Sequence, residues 1–243
     1  FRKAKALKPT TPQIADQIAL GYYQNLNKNM YKISTEVYYK YLQNQIDYRN
    51  GADLFLNNEV EGGLVYGKGQ AYGVEVQVEK VKGKFTGWVS YTLSRSLRTF
   101  DKINEGNQFP ARQDRIHDVS VVLMYRFNKA LAASASFIYY TGSAVTFPSG
   151  KYQVAGEFVP YYTERNGYRM PDYHRLDVGL TWYMKERKRF DHNLNISVYN
   201  VYARENAYAI TFQEDPDDPS KTQAVQTTLF KLIPSITYNF KFK

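Results

Sequence analysis

The sequence contains no cysteine, which excludes disulfides, thiolate metal sites and cysteine nucleophiles but leaves the compartment open. Histidine is scarce as well. His117, His174 and His192 are scattered without metal-ligand spacing, so no metal and no cofactor is expected. No run of 18 or more apolar residues occurs, which excludes a membrane helix. No Gly-x-Ser-x-Gly elbow occurs either, and the chain is read as a non-enzyme. A serine and a histidine brought together at a rim by folding remain the catalytic alternative. Acidic residues are outnumbered, 23 against 32 Lys and Arg, for a net charge of +9. The basic residues are spread through every segment instead of along one helix or patch, so nucleic acid is not expected as a partner. At the start, Phe1-Arg2-Lys3-Ala4-Lys5 offers neither an initiator Met nor an apolar signal core, as in a mature product or a fragment.

Tyrosine dominates what is present, with 23 Tyr against 14 Phe and 2 Trp. Amphipathic rings gather at the two interfaces of a membrane. A hydrophobic content of 43% with a mean hydropathy of -0.55 suits a transmembrane β-barrel, whose strands cross lipid in about 10 residues and expose every second side chain to it. A Tyr-rich soluble β-sandwich is the alternative.

The pattern along the chain has period two. Leu176, Val178, Leu180, Trp182 and Met184 alternate with Arg175, Asp177, Gly179, Thr181 and Tyr183, which a strand separates onto two faces. Ile33 to Tyr41, Val74 to Val78, Phe85 to Leu93, Val119 to Tyr125, Leu131 to Tyr139, Leu194 to Val198 and Ile236 to Phe242 repeat it. The fold expected is all-β, a transmembrane antiparallel up-and-down barrel wall of about nine strands.

Alternation alone also describes a soluble sheet with one wet face. The connections discriminate, because short and long ones take turns. Short ones fall near Asn27 to Asn29, Lys82 to Lys84, Asn128 to Ala130 and Lys185 to His192. Long ones fall near Tyr48 to Tyr66, Thr99 to Asp114, Pro148 to Pro171 and Gln213 to Thr222. Short periplasmic turns and long extracellular loops are the outer-membrane pattern, and this assignment puts the C-terminus in the periplasm.

Three stretches then carry a likeness. Tyr66-Gly67-Lys68-Gly69 leads into Ala71-Tyr72-Gly73-Val74-Glu75 and, past a short turn, Ser90-Tyr91-Thr92-Leu93-Ser94. Ser197 to Tyr202 is followed by Arg204-Glu205-Asn206. Pro234 to Phe242 closes the chain with aromatics at alternate positions. Together they resemble the C-terminal strands of TonB-dependent outer-membrane receptors, in the style of Bacteroidetes. The resemblance implies a barrel of about 22 strands around an N-terminal plug, of which this chain is the C-terminal portion. Residues 1–15 are then an extracellular loop remnant and residues 16–243 barrel, with plug and upstream strands outside the sequence. It also implies a barrel-assembly signal in Ile236, Tyr238, Phe240 and Phe242, with one Lys after the expected terminal Phe. The implied partners are outer-membrane lipid and lipopolysaccharide, the TonB system through the plug, the barrel-assembly machinery and, as a further option, a surface lipoprotein.

Candidate ligand contacts lie in the third long loop, where Tyr152, Tyr161, Tyr162, Arg165, Tyr168 and Arg169 combine flat stacking surfaces with cationic forks. A partner lipoprotein or lipopolysaccharide phosphate would suit the same residues. Arg112, Arg115 and Asp118, with Arg175 and Asp177, are read as lumen-face charges that pair across the wall. The acidic run Glu214-Asp215 and Asp217-Asp218 reads as a solvated loop tip, with calcium the alternative. Gly67, Gly69 and Gly73 miss the spacing of a nucleotide-binding loop and read as a bulge or close-packing site. The function expected is active import of a scarce solute: a siderophore, a cofactor, a peptide or a glycan, with non-glycan cargo favoured. The rival is a non-transporting structural or assembly subunit.

Overall fold

The computed structural model describes residues 11–52, 60–184, 190–218 and 221–242. In chain order the strands are β1 (Ile14–Leu26), β2 (Tyr31–Tyr48), β3 (Leu64–Lys80), β4 (Phe85–Phe100), β5 (Phe109–Pro110), β6 (His117–Arg126), β7 (Leu131–Tyr140), β8 (Ala144–Val145) and β9 (Gly150–Val154). There follow β10 (Glu157–Tyr161), β11 (Tyr168–Arg169), β12 (Tyr173–Tyr183), β13 (Phe190–Tyr199), β14 (Ala209–Glu214), β15 (Thr222–Thr227) and β16 (Ile233–Phe242). Nine of them form one meandering antiparallel wall in the order β1-β2-β3-β4-β6-β7-β12-β13-β16, with β5 added beside β4. The outer edges of β1 and β16 have no partner among the described residues, so the wall is open.

Cross-strand register sorts the side chains. On one face Leu20, Val37, Val74 and Leu93 stand opposite one another across four strands. Farther along, the same face carries Ala133, Leu180, Ile196 and Ile236 in register. Ile18, Leu20, Leu180, Ile196 and Ile236 are exposed, an arrangement that water penalises and lipid does not. The other face carries Ser34, Glu36, Glu75, Thr92, Ser134, Thr181, Asn195 and Thr237, and its groups bond laterally: Lys32 pairs with Glu79 at 3.2 Å, and Asn195 Nδ2 donates to Thr181 at 2.9 Å.

The glycines of β3 are packing devices. A Cβ on Gly67 would lie 2.3 Å from the Thr99 carbonyl, and one on Gly73 would lie 2.9 Å from the Tyr38 hydroxyl. The close-packing expectation therefore holds, and at Gly73 the missing side chain makes room for a cross-strand tyrosine.

Several limits move. Strand β1 starts at Ile14, two residues ahead of the expected boundary at Asp16; residues 1–10 lie outside the described residues. The fourth short connection ends earlier than His192, because β13 already starts at Phe190; residues 185–189 of it lie outside the described residues. The third long connection runs over 141–172 and contains the hairpin β9–β10 and the short pair β8–β11. The fourth is not confined to Gln213–Thr222 but runs over 200–232 and holds the hairpin β14–β15. Asn200 sets its base. It is buried at φ 53°, and its Nδ2 donates to the carbonyls of Arg204 at 2.9 Å and Lys231 at 2.6 Å, pinning both ends of the loop. Local alternation in β14 and β15 mimics wall strands, but among the described residues these pair only with each other.

Candidate functional site at the loop end

All four long connections leave the wall at one end, and there Val65, Phe100, Ile103 and Phe109 form a buried apolar cluster. Against this small cluster the loops are tied together by ions. Asp114 is completely buried. Its carboxylate pairs with Arg169, lies 3.5 Å from Arg95 and accepts the Ser96 backbone N–H. Arg169 also donates to the carbonyls of Asp114 at 2.8 Å and Gly142 at 3.1 Å. Arg165 makes a second tie: its guanidinium pairs with Asp47 at 2.8 Å and donates to the Tyr48 carbonyl at 2.8 Å and to Asn50 at 2.9 Å. Asn104 brackets the Arg165 backbone, accepting its N–H at 2.8 Å and donating to its carbonyl at 3.0 Å. Three loops thereby meet at one residue, Arg165.

Both arginines read from the sequence as ligand forks are thus engaged in loop-to-loop bonds. Tyr168 rests on Phe147, ring centroids 5.8 Å apart. Tyr152 and Tyr161 are exposed on the β9–β10 hairpin, while Tyr162 lines a cavity of about 1020 Å³. That cavity opens between loops 141–172 and 200–232 on the polar side of the wall. Tyr140, Tyr173 and Tyr199 form its wall side, Arg112 and Arg115 line it from the loop before β6, and Phe147, Tyr208, Phe212 and Phe230 line it from the two other loops.

The wall side is a ladder of flat groups. The Arg115 guanidinium sits 3.9 Å over the Tyr140 ring, and Tyr140 stacks on Tyr173 at 4.7 Å with an interplanar angle of 3°. Arg175 donates to the hydroxyls of Tyr173 and Tyr199, each at 2.9 Å, and lies 4.1 Å over the Tyr199 ring. Tyr140, Tyr173 and Tyr199 were missed in the sequence, although each ends or begins a strand at the polar parity, which is a legible signal. The charges expected to pair across the wall pair locally instead: Arg115 with Asp118 at 3.6 Å and Arg175 with Asp177 at 2.9 Å. Arg115 lies in the loop three residues before Asp118, and Arg175 shares β12 with Asp177. Arg112 has no hydrogen-bond or ion-pair partner among the described residues and lines the cavity.

On the opposite face the same end carries a polar-tipped aromatic belt. Tyr91 bonds His117 at 2.9 Å, Tyr139 donates to Asp172 at 2.7 Å, and His174 bonds Tyr202 at 2.8 Å. His174 therefore lies on the apolar face, with the parity of Leu176 and Leu180. The Asp172 carboxyl is held below the usual carboxylate range, first by the Tyr139 hydroxyl, then by the Gly142 N–H and the cations Arg169 and Arg204, against a partial burial that works the other way. Asp215 is likewise lowered, by the Gln223 amide and the N–H groups of Asp217 and Asp218. The acidic run is thus a self-bonded turn, with Asp218 paired to Lys221 at 3.1 Å, and no group of metal-ligating residues occurs among the described residues.

Residues 5–201 match the family described as TonB dependent receptor-like, beta-barrel. The chain belongs to the TonB-dependent receptors. Its wall is similar to three solved receptors of that kind. Against the ferripyoverdine receptor of the outer membrane of Pseudomonas aeruginosa the TM-score is 0.62 at 11% identity, over 96% of this chain and 28% of that one. Against the FrpB iron transporter of Neisseria meningitidis the TM-score is 0.57 at 17% identity, over 97% and 32%. Against the ferric-catecholate import receptor Fiu of E. coli it is 0.51 at 12%, over 94% and 26%. No curated protein matches by sequence. This TonB-dependent receptor chain thus spans about a third or less of the solved receptors it resembles. In β16 the residues resembling the assembly signal, Ile236, Tyr238, Phe240 and Phe242, lie together on the apolar face, with Tyr238–Phe240 and Phe240–Phe242 ring contacts at 6.3 and 5.5 Å.

Proposed function

We propose that the chain is the C-terminal barrel wall of an outer-membrane import receptor, which takes up a scarce solute at the long-loop end and passes it inward under TonB action on a plug. In this reading the long loops are extracellular and the short turns and C-terminus periplasmic. The residues that support it are those of the 1020 Å³ cavity on the polar side of a TonB-dependent receptor wall. A stacked Tyr140–Tyr173 pair with a guanidinium at either side, and Arg112, which has no partner among the described residues, suit a planar or anionic solute. Siderophore-type chelates, cofactors and peptides are favoured as cargo over glycans. Tyr162 and Arg112 make the direct contacts, while Tyr152, Tyr161 and Tyr168 act from the loop surface, and Arg165 and Arg169 position the loops. The Bacteroidetes style, recognition by the barrel-assembly machinery through β16, contact with lipopolysaccharide at the outer rim and a surface lipoprotein partner belong to the same reading.

Uptake by cells expressing the full-length receptor tests it, using labelled ferric chelates, cobalamin, short peptides and oligosaccharides. At least one non-glycan probe is taken up, and its uptake stops when TonB is deleted. A receptor that inserts normally yet moves none of them returns the chain to a structural or assembly role.

A further inference from the structure

Charge is divided unevenly between the two ends of the wall. The long connections interleave both signs, as in Asp101, Lys102, Glu105, Arg112, Asp114 and Arg115. The described short turns do not. Residues 27–30, 81–84 and 127–130 hold Lys28, Lys82, Lys84 and Lys129 with no Asp or Glu among them, and all four lysines are exposed. Lys82 Nζ donates to the Lys28 carbonyl at 2.6 Å, which draws two neighbouring turns into one rim. The ammonium groups of Lys28, Lys84 and Lys129 have no hydrogen bond or ion pair among the described residues. The nearby carboxylate of Glu79 is already taken by Lys32.

The rim also has a defined height. Phe85, Tyr125, Phe127 and Trp182 stand exposed on the apolar face at the same end, and Tyr125 and Phe127 pack edge to face at 4.9 Å. Such rings settle at headgroup level. Lys84 directly precedes Phe85, and Lys129 follows Phe127 by two residues, so their charges fall at the depth of the lipid phosphates. Long lysine side chains can extend along the interface to reach them.

We propose that this rim binds anionic phospholipid headgroups, of the phosphatidylglycerol or cardiolipin class, in the leaflet on the short-turn side. The inference rests on the membrane reading above. Clustered juxtamembrane lysines attract anionic lipid, and the attraction fades within a Debye length of about 8 Å. A surface of one sign at fixed depth suits a leaflet better than one folded partner, because the rings beside the cations stand on the apolar face of the wall, at headgroup level.

The test uses the full-length receptor, folded by heat-modifiable gel mobility, in neutral detergent with equal phosphatidylethanolamine and phosphatidylglycerol; native mass spectrometry counts the retained lipids. The wild type retains phosphatidylglycerol roughly fivefold or more over phosphatidylethanolamine, and 0.5 M salt, which shortens the Debye length to about 4 Å, erases the preference. The triple variant Lys28→Gln, Lys84→Gln, Lys129→Gln brings the ratio close to even. The corresponding Arg triple variant and the loop-end control Lys102→Gln keep it. No preference in the wild type, or a preference that survives the Gln triple variant, overturns the proposal. Tighter binding of a poly-glutamate peptide than of phosphatidylglycerol overturns it in favour of an acidic protein partner. A receptor that enters neutral phosphatidylcholine vesicles without anionic preference defeats this inference alone; one that enters no vesicle defeats the membrane reading beneath it.

Discussion

Arg169 reaches back 55 residues to pair with the buried carboxylate of Asp114 and to donate to the Asp114 carbonyl at 2.8 Å. The bond joins the loop before β6 to the loop before β12, and so holds one side of the cavity in place.

Arg169→Ala strands a carboxylate that is out of water, leaving it with Arg95 at 3.5 Å and the Ser96 N–H. Breaking a buried pair costs about 3–5 kcal/mol. Because the Arg169 side chain keeps 26% of its exposure, the loss belongs at the lower end, about 3 kcal/mol. Asp114→Asn costs less, since it leaves an acceptor for Ser96 and a guanidinium that water can reach. Protease cleavage of the loops on intact cells reads both, with Arg169→Ala the more sensitive.

Asp172 sets a pH response. Its folded-state pKa is depressed below 3.8, so its contribution is complete above that value and is lost as pH falls through the folded pKa. Loop protection from pH 7 to 5 is therefore flat with respect to Asp172, and a loss appears only below about pH 4. Asp172→Asn removes that acid step. Hydrogen exchange at Gly142, whose N–H bonds Asp172 at 3.1 Å, follows it.

Gly67→Ala places a methyl 2.3 Å from the Thr99 carbonyl and 2.5 Å from the Phe100 ring. Neither neighbour can move freely, because Phe100 is fully buried. Overpacking of this kind costs about 1–3 kcal/mol, and the heat-modifiable fraction on gels falls. Gly62→Ala, with nothing within 4 Å, leaves it unchanged.

The wall was legible because its signal is local. Whether Leu180 and Thr181 face opposite ways depends only on their own strand, and the residues in register with them, Ile196 and Asn195, alternate in phase. The loop end was not. Arg165 looks like a ligand fork until Asp47, some 118 positions away, comes to lie 2.8 Å from it, and no pattern within the loop announces that partner. The tyrosine ladder lies between. Tyr140, Tyr173 and Tyr199 have the polar parity of their strands, but their stacking depends on a register that only the folded sheet supplies.

Arginine at one position and not the next separates the two faces. Leu180→Arg sets a cation on the apolar face, at about 2–4 kcal/mol if that face meets the mid-bilayer, and depletes receptor from outer-membrane fractions. Thr181→Arg gives up the Asn195 bond at 2.9 Å but stays on the wet face and assembles at near wild-type yield.

This chain contains no cysteine, so every label within it sits where one is introduced, and the most direct measurement uses such labels. Single cysteines at positions 180, 181, 196 and 197 of the full-length receptor, spin-labelled in bilayers, report collision with oxygen dissolved in lipid and with a nickel chelate dissolved in water. Labels replacing Leu180 and Ile196 meet oxygen, and those replacing Thr181 and Ser197 meet the chelate. Equal access of the chelate to all four would contradict a wall with one face in lipid.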